Sequence, residues 1–349
     1  MKIIHILNHT KKSNGHVHAA VDLACEQARL DHAVLIASAG GDFDDLLQDN
    51  KVGTRYLAHR RKIHLVPSEM LAFYRLLRKD RPDIVHAHMM TSAVLAWPSC
   101  MMLGIPLITT VHNEFERSSI LMGLGKKVIA VSEAVKKSMS RRGIKEKKLA
   151  VVLNGTIGSA RLKSVDRKQV SLSKPNVMFV GGLHPRKGLI DLFDAFEIVY
   201  RSRPNCKLYI VGGGPMIDTY TKYVSDLSSA NSVEFLGTIQ QPVSYLAAAD
   251  IFVLPSHADP APLVISEARE AGCAVIATDV DGIPQLLNDG KAGILVPARR
   301  PDALAREMLR LLDDPQQLAF WKIQSQNQIQ YLTISRVCAE TIEVYKSAL

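Results

Sequence analysis

Residues 250–286 read DIFVLPSHADPAPLVISEAREAGCAVIATDVDGIPQL. An apolar stretch, Ile251 to Leu254, runs into a polar turn, Pro255 to Pro262. Leu263, Val264, Ala268 and Ala271 then fall at helical spacing, and Gly272 fits the stop that follows a helix. Ala274 to Ala277 is a second apolar run, followed by a Gly-Pro turn. The pattern predicts strand, helix, strand. The polar loop and the helix N-terminus then lie at the carboxyl end of the first strand, where open α/β sheets bind ligands. Pro262 suits the first helical position, because its fixed backbone helps set where the helix begins. Asp259 in the loop and Glu267, one turn into the helix, are expected to face one crevice.

Working outward, 349 residues are too many for one ordinary α/β domain and about right for two. The apolar content, 47%, supports substantial cores. The longest apolar run, Ala93 to Leu103, is interrupted by Pro98 and Ser99 and is too short to span a bilayer. The opening MKIIHILN reads as a short strand without a signal-peptide pattern. Five cysteines are scattered, odd in number and without a Cys-X-X-Cys pair, which favours reduced thiols in a cytoplasmic protein. The net charge of +9 is uneven. Residues 1–168 carry 27 Lys+Arg against 15 Asp+Glu, and the rest 16 against 19. Such asymmetry points to an anionic partner for the first half. No nucleic-acid recognition motif is present and aromatics are only 6%, so anionic lipid or a phosphate-bearing acceptor fits better than nucleic acid. A merely solvated basic face is the alternative.

In the first half, residues 2–8 predict a buried strand, and Asn14-Gly15 opens a helix of about four turns with Val17, Val21, Ala24 and Ala28 on one face. Ala33 to Ala37 is a strand, Asp42 to Asp45 an acidic loop, and Arg55 to Lys62 a basic exposed segment. Residues 67–79 form an amphipathic helix. His86 and His88 share one face of the next strand. That spacing suits a metal, but no third ligand at a plausible spacing is evident, so a structural role is preferred. Pro106 to Val111 ends at His112-Asn113-Glu114. Ser132 is expected to cap a helix whose basic side carries Lys136, Lys137, Arg141 and Arg142. Residues 156–174 are polar without a clear period and are read as the interdomain linker.

The second half restarts with Val177 to Val180 and Gly181-Gly182-Leu183-His184-Pro185-Arg186-Lys187-Gly188. Leu208 to Val211 enters Gly212-Gly213-Gly214-Pro215, which lacks the third glycine of a dinucleotide fingerprint. Gln241 to Ala248 is a short helix. Asp279-Val280-Asp281 has a metal-binding look but sits at a turn, and is read as coincidental. In the terminal stretch, Val337, Thr341, Val344 and Tyr345 make an apolar helix face.

The Pro255, Ser256, Asp259, Glu267, Ala268, Gly272 series resembles the donor-site signature of the retaining glycosyltransferase family 4, which has the GT-B fold. The order of pieces along nearly the whole chain carries the resemblance: the Gly15 turn, His112 at a strand end, the Lys187-Gly188 turn, the Gly213 loop, and the acid-X7-Glu helix. It implies an α/β fold of two Rossmann-like domains facing across a cleft, with the C-terminal helix crossing back to the first. Residues 1–165 with 333–349 would be the acceptor-binding domain, and 170–330 the nucleotide-sugar-binding domain. Two positions depart from the pattern. Asp259 stands where the family has Glu, and Gly182 where it has Arg; Arg186 is offered as the replacement cation.

The resemblance implies an enzyme that moves a sugar, with retention, from a nucleotide sugar to an acceptor hydroxyl. UDP-sugar is the expected donor, and a glycan or lipid-linked molecule of cell-surface polysaccharide or glycolipid synthesis the expected acceptor. His112 and Asp259 are the expected catalytic residues. Gly15, Gly181, Arg186, Lys187, Gly213, Pro262, Leu263, Val264 and Glu267 would bind donor. Lys187 would stabilise negative charge on the leaving diphosphate, and Glu267 would accept the ribose hydroxyls. No metal or other cofactor is expected in the site. The location would be cytoplasmic, with a peripheral contact at the inner face of the plasma membrane. A sugar-nucleotide epimerase of the same fold, or a non-catalytic member, are the alternatives.

Overall fold

The computed structural model describes residues 1–12, 14–57, 66–163, 170–239 and 242–349. The chain forms two compact units, Met1–Ser164 with Leu332–Leu349, and Val165–Tyr331. The boundary near 164–169 lies outside the described residues.

The first unit is a seven-stranded sheet. Its strands are β1 (Lys2–Ile6), β2 (Ala33–Ser38), β3 (Gly53–Tyr56), β4 (Ile84–Ala87), β5 (Leu107–Val111), β6 (Lys127–Ala130) and β7 (Leu149–Val151), in the spatial order β3-β2-β1-β4-β5-β6-β7. All pairs are parallel. Parallel strands covered on both faces need near-continuous apolar sequence, and β4 and β5 are buried at every residue. The order reverses between β1 and β4, a switch point of the kind at which open α/β sheets bind ligands. Helix Gly15–Arg29 buries Val17, Val21 and Ala24 as its periodicity predicts. Ser132 caps helix Glu133–Arg141, its Oγ accepting from the Val135 amide at 3.4 Å.

The last helix, Ile334–Lys346, belongs to this unit. Cys338, Ile342 and Tyr345 share a core with Ile3, Ile84, Ile108 and Ile129, while Val337 and Val344 pack partly against it. Burial here makes the terminal segment part of the first unit's core, although the whole second unit precedes it in sequence.

Three expectations change. The acidic loop at Asp42 to Asp45 is the start of a helix, Asp44–Asp49, since its two aspartates favourably occupy a first turn. The basic segment from Arg55 begins inside β3, and its continuation at 58–65 lies outside the described residues. The stretch read as a linker carries a short helix, Ala160–Lys163, and an isolated bridge from Ile157 to Thr333.

The second unit is a six-stranded parallel sheet of β8 (Asn176–Val180), β9 (Lys207–Val211), β10 (Val233–Gly237), β11 (Ile251–Leu254), β12 (Ala274–Thr278) and β13 (Ile294–Val296). Its order is β10-β9-β8-β11-β12-β13. The reversal falls between β8 and β11, which pair through Ile251↔Val177 and Phe252↔Met178. The loops that follow these two strands are the Gly181–Gly188 turn and the Pro255–Pro262 turn.

Candidate functional site

In the second unit the two loops at the switch point meet side chain to side chain. After β8 the chain enters a 3₁₀ turn, Pro185–Lys187, capped by His184. The His257 amide donates to the Arg186 carbonyl at 2.7 Å, tying this turn to the loop after β11. Gly188 has φ +68, and a Cβ there would lie 2.0 Å from the Pro255 carbonyl oxygen. Both the backbone conformation and the contact therefore require glycine. This close approach brings Lys187 to Asp259: Nζ lies 2.5 Å from Oδ2, and both side chains are nearly buried. Arg186 Nη1 donates to the Ala258 carbonyl at 3.2 Å and lies 3.8 Å from Asp259 Oδ1. Two cations thus converge on one carboxylate.

The Asp259 side is fixed in turn. Ser256 Oγ donates to Asp259 Oδ2 at 3.3 Å, and the Asp259 amide donates to Asp281 Oδ2 at 2.6 Å. Asp281 itself sits at φ +46, and burial raises its carboxyl above the usual range despite the amide it accepts. The Asp-X-Asp pair is therefore explained at Asp281 by support of the loop. Ser256 and Asp281 are supporting residues that the sequence reading named without giving either this role. For Ser256 the signal was its place in the Pro-Ser dipeptide. For Asp281 it was an acidic residue beside a Gly turn.

Pro262 is the N-cap, with φ −69 and ψ 123, and the helix starts one residue later, Leu263–Glu270. It is not the first helical residue as expected: its ψ is extended, as an N-cap requires. Leu263 and Val264 form the first turn, and their amides belong to the unsatisfied donor set of a helix start. Glu267 lies in the second turn and is buried, 6% exposed. Two residues on, the Arg269 guanidinium is fully buried, donating to the carbonyls of Ser325, Leu286 and Asn327 at 2.6 Å each and to Tyr331 Oη at 2.7 Å. This pins the helix that carries Glu267. Gly181 and Gly213 line the adjacent turn, where the Gly181 amide donates to Val211 and Leu183 to Gly213, each at 2.9 Å. Gly182 is exposed and a Cβ there would meet nothing closer than 4.0 Å.

The first unit gathers imidazoles at the carboxyl ends of β1, β4 and β5. His112 follows β5, and its Nε2 lies 3.1 Å from His88 Nδ1. His88 Nε2 lies 2.8 Å from His5 Nδ1, and His5 Nε2 lies 2.7 Å from Gln27 Oε1. His86, opposite His5 in the ladder, bonds Tyr345 through Nδ1 at 2.6 Å and Thr110 through Nε2 at 2.7 Å. Burial pushes the His5 pKa down to about 4 and His112 to about 3, and holds His86 and His88 well below the usual range. These rings are neutral at neutral pH.

His5 supplies the third histidine that the sequence reading did not find. It comes from another strand, 83 residues from His88. Ligand atoms of His5, His86 and His88 lie within 4.8 Å of one another. All six of their ring nitrogens already have protein partners, so these side chains are satisfied without a cation. At Gly15, the first helical residue, an added Cβ would meet nothing within 4 Å, which leaves open space in front of the helix start. Glu114 is buried and Glu116 exposed. His112 and Gly15 belong to the first unit, and the other predicted residues belong to the second.

Two family models match the chain. "Glycosyltransferase Family 4" covers residues 13–156 and "Glycosyl transferases group 1" covers residues 174–314. Among relatives, an alpha-D-kanosaminyltransferase of Streptomyces kanamyceticus is 24% identical over 324 residues, 77% of this chain and 83% of the relative. The UDP-Gal:alpha-D-GlcNAc-diphosphoundecaprenol alpha-1,3-galactosyltransferase of Escherichia coli is 26% identical over 311 residues, 80% of each chain. Among solved structures, Anabaena HepE in complex with UDP-glucose superposes with a TM-score of 0.84 at 20% identity, covering 99% of this chain and 100% of that one. That likeness is one of fold.

Proposed function

The chain belongs to glycosyltransferase family 4, and we propose that it moves a sugar, with retention at the anomeric carbon, from a UDP-sugar to a hydroxyl of a glycan or lipid-linked acceptor. The observation that carries this reading is the convergence of Lys187 and Arg186 on Asp259 at the switch point of the second sheet. Breaking a sugar–phosphate bond leaves charge on the diphosphate, and cations already held in place stabilise it without reorganising. Asp259 is the partner of Lys187. An arriving diphosphate would compete for the cations, and Asp259 would turn to a sugar hydroxyl. Glu267, on a helix fixed by Arg269, would accept the ribose hydroxyls. The amides that open the Leu263–Glu270 helix, with Gly181 and Gly213 beside them, would face the phosphates and sugar. His112 would act in catalysis and Gly15 in donor binding.

The donor class is supported by the UDP-glucose held by Anabaena HepE and by the UDP-Gal donor of the E. coli relative. That relative's acceptor is a lipid diphosphate by name, and the basic residues concentrated in 1–168 suit such an acceptor and an anionic membrane surface. No helix among the described residues is long and apolar enough to cross a membrane. The proposed place, on the strength of those basic residues, is peripheral at the inner face of the plasma membrane, in cell-surface glycan synthesis.

The test is incubation of the purified protein with a panel of UDP-sugars and membrane-extracted acceptors, read by mass spectrometry. Glycosylated acceptor with released UDP is expected. Interconversion of the sugar nucleotide would instead mean epimerase chemistry, and binding without turnover a non-catalytic member. Lys187→Ala is expected to lower turnover on the order of 10²–10³-fold. Unchanged turnover would overturn the role given to Lys187.

A further inference from the structure

The first unit contains one continuous hydrogen-bonded run of side chains that ends at His112. Its members come from five parts of the chain: His5 on β1, Gln27 on the helix Gly15–Arg29, His86 and His88 at β4, Thr110 and His112 at β5, and Tyr345 on the last helix. Gln27 and Tyr345 are fully buried, and Gln27 Nε2 donates to Tyr345 Oη at 3.3 Å although the two are 318 residues apart. With its nitrogen committed to Tyr345, the Gln27 carboxamide presents its oxygen to His5 Nε2.

The direction of every other bond follows, because a neutral imidazole has one donor nitrogen and one acceptor nitrogen. His5 must donate from Nε2 to Gln27 Oε1, so its Nδ1 accepts. His88 then donates from Nε2 to His5 and accepts at Nδ1. His112 donates from Nε2 to His88, and its own Nδ1 is left as an acceptor that the run does not use. On the other branch Tyr345 receives from Gln27, donates to His86 Nδ1, and leaves His86 to donate from Nε2 to Thr110.

We propose that Gln27 and Tyr345 are positioning residues that set the tautomer of His112, protonated at Nε2 and accepting at Nδ1, through the buried His5–His88 relay. His112 would then meet substrate as a neutral acceptor for a sugar hydroxyl rather than as a donor. The part of this that concerns turnover rests on the placement of His112 at the reacting centre proposed above. A reversed amide would reverse every bond at once, so a residue with no access to substrate decides what the outward nitrogen can do.

The test uses the full chain labelled with ¹⁵N-histidine, with the His112 signals identified by their loss in His112→Gln. Long-range ¹H–¹⁵N correlation reports which ring nitrogen carries the proton. The wild type is expected to show His112 protonated at Nε2 alone. Gln27→Leu is expected to give mixed tautomers at His112 and a drop in kcat of roughly tenfold or more, with the donor KM unchanged. Tyr345→Phe keeps the packing of the last helix and removes only the oxygen that orients Gln27. It should move the spectrum the same way, and it decides the matter if Gln27→Leu does not fold. A wild-type His112 protonated at Nδ1, or a tautomer unchanged in the folded variants, would overturn the proposal. So would one equivalent of zinc found on the purified protein and bound by His5, His86 and His88, or, where His112→Ala loses turnover, a changed tautomer with unchanged kcat. If His112→Ala retains full turnover, the catalytic placement of His112 fails. The spectra of Gln27→Leu and Tyr345→Phe still decide the relay.

Discussion

At the residue scale, Arg186 is the proposed replacement for the arginine that Gly182 lacks. Gly182 stands where the family carries arginine, and Arg186 reaches the same carboxylate as Lys187, with its side chain 37% exposed. An exposed guanidinium has less influence than a buried one, because water screens it; a bound diphosphate would exclude that water. Arg186→Ala is expected to lower turnover by about tenfold or more, within the range for loss of one charge-stabilising group. Gly182 has room for a side chain. Gly182→Arg should therefore leave the wild type little changed and restore most of the activity of Arg186→Ala. Steady-state rates of the single and double variants check this, and additive losses would show that the two positions do not substitute for each other.

At the element scale, helix Leu263–Glu270 is short and has no side-chain cap hydrogen bond at Pro262. Its position comes instead from Arg269. Three backbone carbonyls and a phenol satisfy that guanidinium, and Tyr331 lies under it with the ring centroid 5.3 Å away. Burial lowers the Arg269 pKa, and Tyr331 opposes that shift. Arg269→Leu would leave the carbonyls of Ser325 and Asn327 without this donor, and that of Leu286 with Tyr331 Oη alone. The expected loss is about 3–5 kcal/mol, since each buried unsatisfied acceptor is costly. Urea unfolding of the variant, followed at two wavelengths, measures it. A loss within about 0.5 kcal/mol, the range of ordinary surface substitutions, would mean that the helix is held by its apolar face alone.

At the scale of the whole molecule, two charge effects follow. The buried imidazoles couple folding to pH. In the unfolded chain each takes up a proton near pH 6.5, whereas in the folded chain burial holds His5 to about 4 and His112 to about 3. Between pH 6.5 and roughly 4 the unfolded state therefore binds more protons. Stability falls as pH is lowered, by about 1.4 kcal/mol per pH unit for each such histidine. Urea midpoints measured from pH 7.5 to 5 should fall below pH 6.5, and a flat profile would contradict neutral burial. The second effect is electrostatic contact with membranes. The excess of basic residues in 1–168 predicts binding to anionic vesicles that weakens as salt shortens the screening length. Flotation at low and high salt reads it, and absence of binding at either salt would remove the membrane contact.

The sequence by itself determined the α/β class and most of the strand runs along the chain, and its resemblance to the family marked the Lys187 turn. These depend on local signals: apolar runs of strand length, helical spacing, and Gly-Pro punctuation. Lys187, Asp259 and Glu267 could be named because each lies within one loop or helix of a readable strand end. Only the tertiary structure decided that Lys187 and Asp259 are paired, because 72 residues separate them and the contact depends on which strands become neighbours. It also decided the partners of His86 and His88. Sequence spacing showed two histidines on one strand face, but His5, Gln27 and Tyr345 reach them from another strand and two helices. A hydrogen bond joins what lies within about 3 Å, and only the packed sheet and helices bring residues so distant along the chain to that separation.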